Sequence, residues 1–288
     1  MAHSRLATPG ATIAVLRAHD IQTRKSLGQH FLVDDNVVGR ILALADLRGD
    51  EPVLEIGPGI GTLTVALCEA AGTVVAVERD ERLLEILADT TAGCDRLSVV
   101  HADAVSVSPT ELVTPLGPPA ALVANLPYAV AATVVLRFFE VLPSLRFAVV
   151  MVQSEVADRM SASPGCKAYG AYTVKLNLHA CSAGRFNVSP GCFLPPPRVE
   201  SAVLRLERIG VPAPSEYVEA AACMADAAFA QRRKTLRNSI RFTLGVPSDV
   251  IDAVLSSAGL DGGRRAEMLT IPEFLRLGEA ALRYGLLP

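Results

Sequence analysis

The sequence predicts a two-part α/β protein: a Rossmann-like domain over 1–207, with a helix-and-loop extension over 1–33, and a smaller all-helical domain over 208–288. Three observations carry this. The apolar run 52–56 is followed by Gly57-Pro58-Gly59-Ile60-Gly61 and a helical pattern over 62–71, the strand, glycine loop and helix that open a doubly wound domain. Short apolar runs then alternate with helical patterns as far as Glu207. Beyond Gly210 the pattern is helical throughout, with glycine and proline breaks near 245–247 and 259–263.

Composition bounds the possibilities. Half of the 288 residues are hydrophobic, so a sizeable core is available and disorder is not expected. No stretch approaches the roughly 18 unbroken apolar residues of a membrane span. Residues 1–20 lack a basic region followed by a long apolar core, so they read as neither signal nor transit peptide, and the expected location is the cytoplasm. Cys68, Cys94, Cys166, Cys181, Cys192 and Cys223 form no C-x-x-C pair, and no histidine pair has ligand spacing. Free thiols in a reducing compartment, and no metal, are expected. The formal net charge of −3 excludes a chain coated in positive charge, so nucleic-acid contact requires a local basic patch.

The elements follow in order. An amphipathic helix is expected over 11–19. The basic stretch 23–32 contains glycine and ends in His30, Phe31 and Leu32. His30 there is either a ligand contact or a surface or capping residue. Asp34 or Asp35 caps a helix whose apolar face carries Val37, Val38, Ile41, Leu42 and Leu44. After the glycine loop, a second strand over 73–77 delivers Glu78, roughly 20 residues beyond Gly57, where a carboxylate accepts hydrogen bonds from a ribose diol. A helix over 81–89 and a third strand over 97–100 lead to Asp103. At a strand's carboxyl end this residue suits an adenine amino group, or it is a turn cap.

The loop spacing is G-x-G-x-G rather than G-x-G-x-x-G, and Glu55 stands just upstream. A carboxylate disfavours a pyrophosphate and favours a cationic amino acid, so the cofactor read from these residues is S-adenosylmethionine rather than a nicotinamide or flavin. The fourth strand, 120–124, ends in Asn125-Leu126-Pro127-Tyr128. Proline keeps the residue before it out of the helical region. The Asn125 side chain and neighbouring carbonyls can then face one spot with the Tyr128 ring beside it, which suits a flat, amine-bearing ring. The bland alternative is a strand-end turn covering the core.

Helix 130–140, strand 147–152 and a helix starting near 153 complete the sheet domain. The loop 161–170, with Lys167 and Tyr169, is a candidate RNA-facing loop or a solvated turn. A strand over 199–207 follows Pro195-Pro196-Pro197-Arg198. In the helical domain, Arg233, Arg237 and Arg241 recur every four residues, which on a helix forms one basic face suited to a phosphate backbone. A solvated face is the alternative.

Taken together, seven segments resemble the ribosomal RNA adenine N6-dimethyltransferase family: Gly28-Gln29-His30-Phe31-Leu32, Glu55-Ile56-Gly57-Pro58-Gly59, Val77-Glu78-Arg79-Asp80, Asp103-Ala104, Asn125-Leu126-Pro127-Tyr128, 193–203 and 231–240. They span almost the whole chain in order. His30 stands where asparagine is frequent in that family, and Ala124 where glycine often precedes the Asn. The resemblance implies transfer of two methyl groups from S-adenosylmethionine to each of two adjacent adenines near the 3′ end of small-subunit rRNA. It implies a pre-30S particle as partner, late in subunit assembly, and the protein is expected to act as a monomer without membrane contact. By position, His30 and Leu32 border the cofactor, Gly57 meets its methionyl part, Glu78 its ribose and Asp103 its adenine. Asn125 lies between cofactor and base, the Leu126 carbonyl accepts a second N–H, and Tyr128 stacks. The alternatives are a large-subunit rRNA adenine methyltransferase of the macrolide-resistance type and a non-catalytic assembly factor.

Overall fold

A computed structural model describes residues 3–21, 30–210 and 213–287. The basic segment 23–29, including Gly28 and Gln29, lies outside the described residues. The elements run α1 (Pro9–Ala18), β1 (Phe31–Leu32), α2 (Asp35–Ala45), β2 (Pro52–Ile56), α3 (Thr62–Ala70), β3 (Thr73–Glu78), α4 (Glu81–Thr90), β4 (Leu97–His101), β5 (Ala121–Asn125), α5 (Ala131–Val141), β6 (Phe147–Gln153), α6 (Ser154–Met160), α7 (Ala171–Asn177), β7 (Ala180–Val188), β8 (Phe193–Leu194), β9 (Ser201–Arg208), α8 (Ser215–Phe229), α9 (Leu236–Leu244), α10 (Ser248–Ser257) and α11 (Ile271–Arg283).

The main sheet has the order β4-β3-β2-β5-β6-β9-β7. Strands β2 to β6 are parallel neighbours, and β9 joins β6 antiparallel, with Gln153 opposite Ser201. The chain builds outward from β2 through β3 to β4, then crosses back to place β5 on the other side of β2. The crevice between β2 and β5 is therefore the topological switch point, where open α/β sheets bind ligands. Strands buried on both faces explain the near-continuous apolar runs: β5 is buried from Ala121 to Ala124, and β6 from Phe147 to Val152.

Local chemistry fixes the helix starts. The Asp34 carboxylate accepts the Asn36 and Val37 N–H groups and caps α2, whose Val37, Val38, Ile41 and Ala45 are buried. Leu16 of α1 packs with Phe31, Ile60, Leu83 and Ile86 in a small satellite core. The main core on one face of the sheet gathers Leu32, Val38, Ile41, Leu67, Val149 and Phe193.

The division of the chain differs from the expected boundary. One compact unit takes in the chain to Ala157 together with Ser182–Arg208; the other comprises Asp158–Cys181 and the chain from Ile209 onward. The reason is apolar: Tyr169, Val174 and Leu178 are buried in one core with Met224, Leu236, Ile251 and Phe274. Tyr169 is 2% exposed, donates its hydroxyl to the Leu269 carbonyl at 2.8 Å, and meets Phe229 edge-on. It is a core residue, so neither reading of the loop, RNA-facing or solvated, holds for this side chain. In this second unit α8 packs chiefly on α11, where Gly278 lies so close to Ala221 that a Cβ would meet its backbone nitrogen at 2.5 Å.

Candidate active site

Parallel strands β2, β3, β4 and β5 end on the same edge of the sheet, so the glycine loop, Glu78, Asp103 and Asn125 arrive on one side. The two segments flanking the switch point touch. Gly57 has φ +67°, and a Cβ there would stand 3.2 Å from Pro127 Cδ. Its freedom from a side chain thus serves close approach to the Asn125–Tyr128 turn. Gly59, at φ +61°, lies against the Phe31 ring.

Glu78 ends β3 with 6% exposure. Its Oε1 accepts the N–H groups of Arg79 and Asp80, both at 2.8 Å, and its Oε2 accepts the Gly59 N–H at 3.2 Å. The carboxylate ties the glycine loop to the strand end and retains lone pairs on Oε2. Burial raises its pKa against the pull of those three N–H groups.

Glu55 behaves otherwise than its sequence position suggested. It is 1% exposed, and among the described residues its Oε2 has no hydrogen-bond partner. Burial, opposed by the nearby Thr64 hydroxyl and aided by repulsion from Glu78, pushes its carboxyl up to about 8. Near neutral pH it is mainly protonated, so it presents no standing charge to a cationic amino acid. The positive-φ glycines and the Glu78 oxygens are what fit an adenosyl donor.

Asp103 is already engaged. Its Oδ1 accepts the Val105 N–H at 2.9 Å, and its Oδ2 pairs with Arg79 Nη1 at 3.2 Å. Both proposed uses, turn cap and adenine acceptor, draw on the same carboxylate. Leu32 is 2% exposed, so its side chain belongs to the core.

The Asn125 amide is oriented by His30. Its Nδ2 faces the His30 carbonyl at 3.4 Å. A carbonyl only accepts, so the nitrogen is the atom that points there and Oδ1 points away. Among the described residues nothing donates to that Oδ1 or to the Leu126 carbonyl, while the Leu126 N–H is held by the Met151 carbonyl at 3.1 Å. The His30 ring stacks on Tyr128, with centroids 5.6 Å apart and planes 28° from parallel. Three residues named separately in the sequence thus form one cluster.

Two partners of this cluster escaped the sequence reading. The Tyr128 hydroxyl meets Ser201 Oγ at 2.6 Å, and His30 Nδ1 meets the Pro195 carbonyl at 2.7 Å. Both contacts span long sequence separations and leave no local signal.

The basic stripe is also rearranged. Thr235 caps α9 by accepting the Asn238 N–H, so the helix begins after Arg233, which sits in the preceding turn. Arg233 does not share a helical face with Arg237 and Arg241. Arg237 makes a two-point ion pair with Asp252, each contact 2.5 Å, and Arg241 donates to Ser248 Oγ at 2.9 Å.

Comparison with known proteins adds to this geometry. The family model for ribosomal RNA adenine dimethylase matches residues 21–281. A protein called ribosomal RNA small subunit methyltransferase A in Magnetococcus marinus is 41% identical, with 93% of this chain and 95% of the relative covered. One of the same name in Thermobifida fusca is 42% identical over 96% of this chain and 97% of its own. Among solved structures, a dimethyladenosine transferase from Plasmodium falciparum superposes with a TM-score of 0.74 at 25% identity, covering 89% of this chain and 98% of the other. The 23S rRNA methyltransferase ErmE gives 0.65 at 28% identity, covering 87% and 98%.

Proposed function

The chain belongs to the ribosomal RNA adenine dimethylase family, and on that premise we propose how its own residues carry the reaction. The protein is an S-adenosylmethionine-dependent rRNA adenine N6-dimethyltransferase of the small-subunit type, acting on two adjacent adenines near the 3′ end. The small-subunit name of the relatives favours it over the large-subunit alternative, although ErmE shares the fold.

The observation that carries the residue assignment is the Asn125 amide, anchored through Nδ2 to His30 with Oδ1 turned outward. Adenine N6 is a poor nucleophile because its lone pair is delocalised into the ring. Asn125 Oδ1 and the Leu126 carbonyl accept its two N–H groups, which favours a pyramidal nitrogen whose lone pair is released from the ring. Tyr128 stacks on the base, which must leave its helix or come from a loop. S-adenosylmethionine supplies an electrophilic methyl on a sulfonium centre. Gly57, Glu78 and Asp103 would hold it, with Glu78 Oε2 on the ribose, and the backbone of His30 and Leu32 would border it. Positioning and aligned dipoles perform the catalysis, and no covalent enzyme intermediate is involved.

Arg233, Arg237 and Arg241 are assigned to RNA contact, Arg233 foremost because it is exposed and precedes the helix. The working partner is an assembling pre-30S particle, met in the cytoplasm by a single chain. The six cysteines are free, and among the described residues no helix is long and apolar enough to cross a membrane. The test is incubation of the purified protein with undermethylated small and large subunits and labelled methyl donor. Label on N6 of two adjacent adenines of the small-subunit rRNA is expected. Label confined to the large subunit overturns the reading.

A further inference from the structure

The proline-rich segment 193–201 has no role in the chemistry described so far, yet it contributes both long-range contacts to the aromatic cluster. The Pro195 carbonyl accepts a hydrogen bond from His30 Nδ1 at 2.7 Å, and Ser201 Oγ holds the Tyr128 hydroxyl at 2.6 Å. Between these two anchors the rings stack on each other. Ser201 is fully buried, and its position in β9 is registered against Gln153 of β6. Tyr128, by contrast, is only half-buried and sits on a turn between β5 and α5, where a ring held by packing alone would swing about χ1 and χ2.

We propose that Ser201 is a positioning residue for methyl transfer, bracing the Tyr128 ring so that it offers one fixed face to the target adenine while His30, locked by the Pro195 carbonyl, covers the other. This rests on the methyl-transfer reading of Asn125–Tyr128. The physical need is angular. In-line displacement requires the N6 lone pair to point at the methyl within a narrow cone, and a stacking wall free to rotate spreads the base over unproductive orientations. The demand is greater in the second transfer, because the monomethylated amine has one orientation fewer that both fits and reacts. Ser201 touches neither cofactor nor base, so its effect falls on turnover and product distribution rather than on donor affinity.

The experiment compares Ser201→Ala, Tyr128→Phe and the double variant on undermethylated small subunits, measuring kcat, KM for the donor, and the ratio of monomethyl to dimethyl adenine. Each single variant removes the same hydrogen bond. Each is expected to lower kcat about five- to tenfold, to leave donor KM within about twofold, and to accumulate monomethyl adenine. The double variant is expected to be no slower than the slower single, because both members of one contact are coupled. Wild-type kcat and product ratio in Tyr128→Phe overturn the proposal, as do additive losses in the double variant. Tyr128→Phe decides the matter even if Ser201→Ala fails to fold. A wild-type protein that labels no adenine overturns the methyl-transfer reading instead, so the two failures are distinguishable.

Discussion

Asn125 donates its amide N–H to the His30 carbonyl, which leaves its oxygen as the free end of the side chain. The proposed substrate acceptor is thereby oriented by the backbone of a residue far away in sequence. Asn125→Ala removes that acceptor. It is expected to lower kcat about 10²- to 10³-fold, the usual cost of deleting one preorganised polar contact to a reacting group. It costs little stability, since only one long hydrogen bond is lost, worth about 1 kcal/mol or less. Single-turnover methyl transfer with calorimetric donor binding alongside measures both. Undiminished transfer would remove Asn125 from the mechanism.

In the proposed mechanism Glu78 joins cofactor binding to loop shape. Replacing it with alanine leaves the N–H groups of Gly59, Arg79 and Asp80 without their acceptor. Each such loss costs on the order of 1–3 kcal/mol where water cannot compensate. Donor affinity is therefore expected to fall at least about tenfold, together with the melting temperature. Titration calorimetry on the folded variant is the measurement. An unchanged Kd would show that the ribose is held elsewhere.

The buried Glu55 makes stability depend on pH. The folded protein keeps its proton up to about pH 8, whereas the unfolded chain releases it near the ordinary 4.5. Across that window the native state binds more protons, so this residue's contribution is complete at the acid end and is lost as the pH rises toward 8. The slope is at most about 1.4 kcal/mol per pH unit. Glu55→Gln keeps the shape of the neutral acid and removes the titration. Between pH 6 and 8 the wild type is expected to lose more of its unfolding free energy than the variant. Parallel denaturation curves for the two proteins across that range would disprove the assignment.

The arginines of the second unit should not contribute equally. Arg233→Ala is expected to weaken small-subunit binding and to reduce the slope of log K against log salt by about one phosphate contact. Arg237 shares its guanidinium with Asp252, so Arg237→Ala is expected to weaken binding less than Arg233→Ala does. Filter-binding across a salt series separates them. Equal losses from the two variants would return the assignment to an even basic face.

Much of the fold is legible along the chain. Buried strands announce themselves as apolar runs, as Ala121–Ala124 does. Helix starts follow from capping residues such as Asp34 and Asp80, whose carboxylates accept N–H groups of their own first turns. Tyr169 shows the limit: an aromatic beside Lys167 in a glycine-containing loop has the composition of a solvent-facing segment. Only the second core, assembled from residues more than 100 positions apart, takes it inside. The two-residue strands β1 and β8 are too short to carry any periodicity and exist because each completes the other's hydrogen bonds.

The sequence by itself determined the chemistry available: a glycine loop after one strand, an acid after the next, and Asn125-Leu126-Pro127-Tyr128 after a fourth. Residue type and local spacing suffice for that, because backbone conformation and hydrogen-bonding capacity are local properties. Tertiary structure alone decided which of these groups are free to act. It protonated Glu55 by burying it, committed part of Asp103 to Arg79 and Val105, turned the Asn125 oxygen outward through His30, and set Ser201 behind Tyr128. Burial and long-range hydrogen bonds depend on which strands become neighbours, and the crossover between β4 and β5 settles that only when the sheet closes around its switch point.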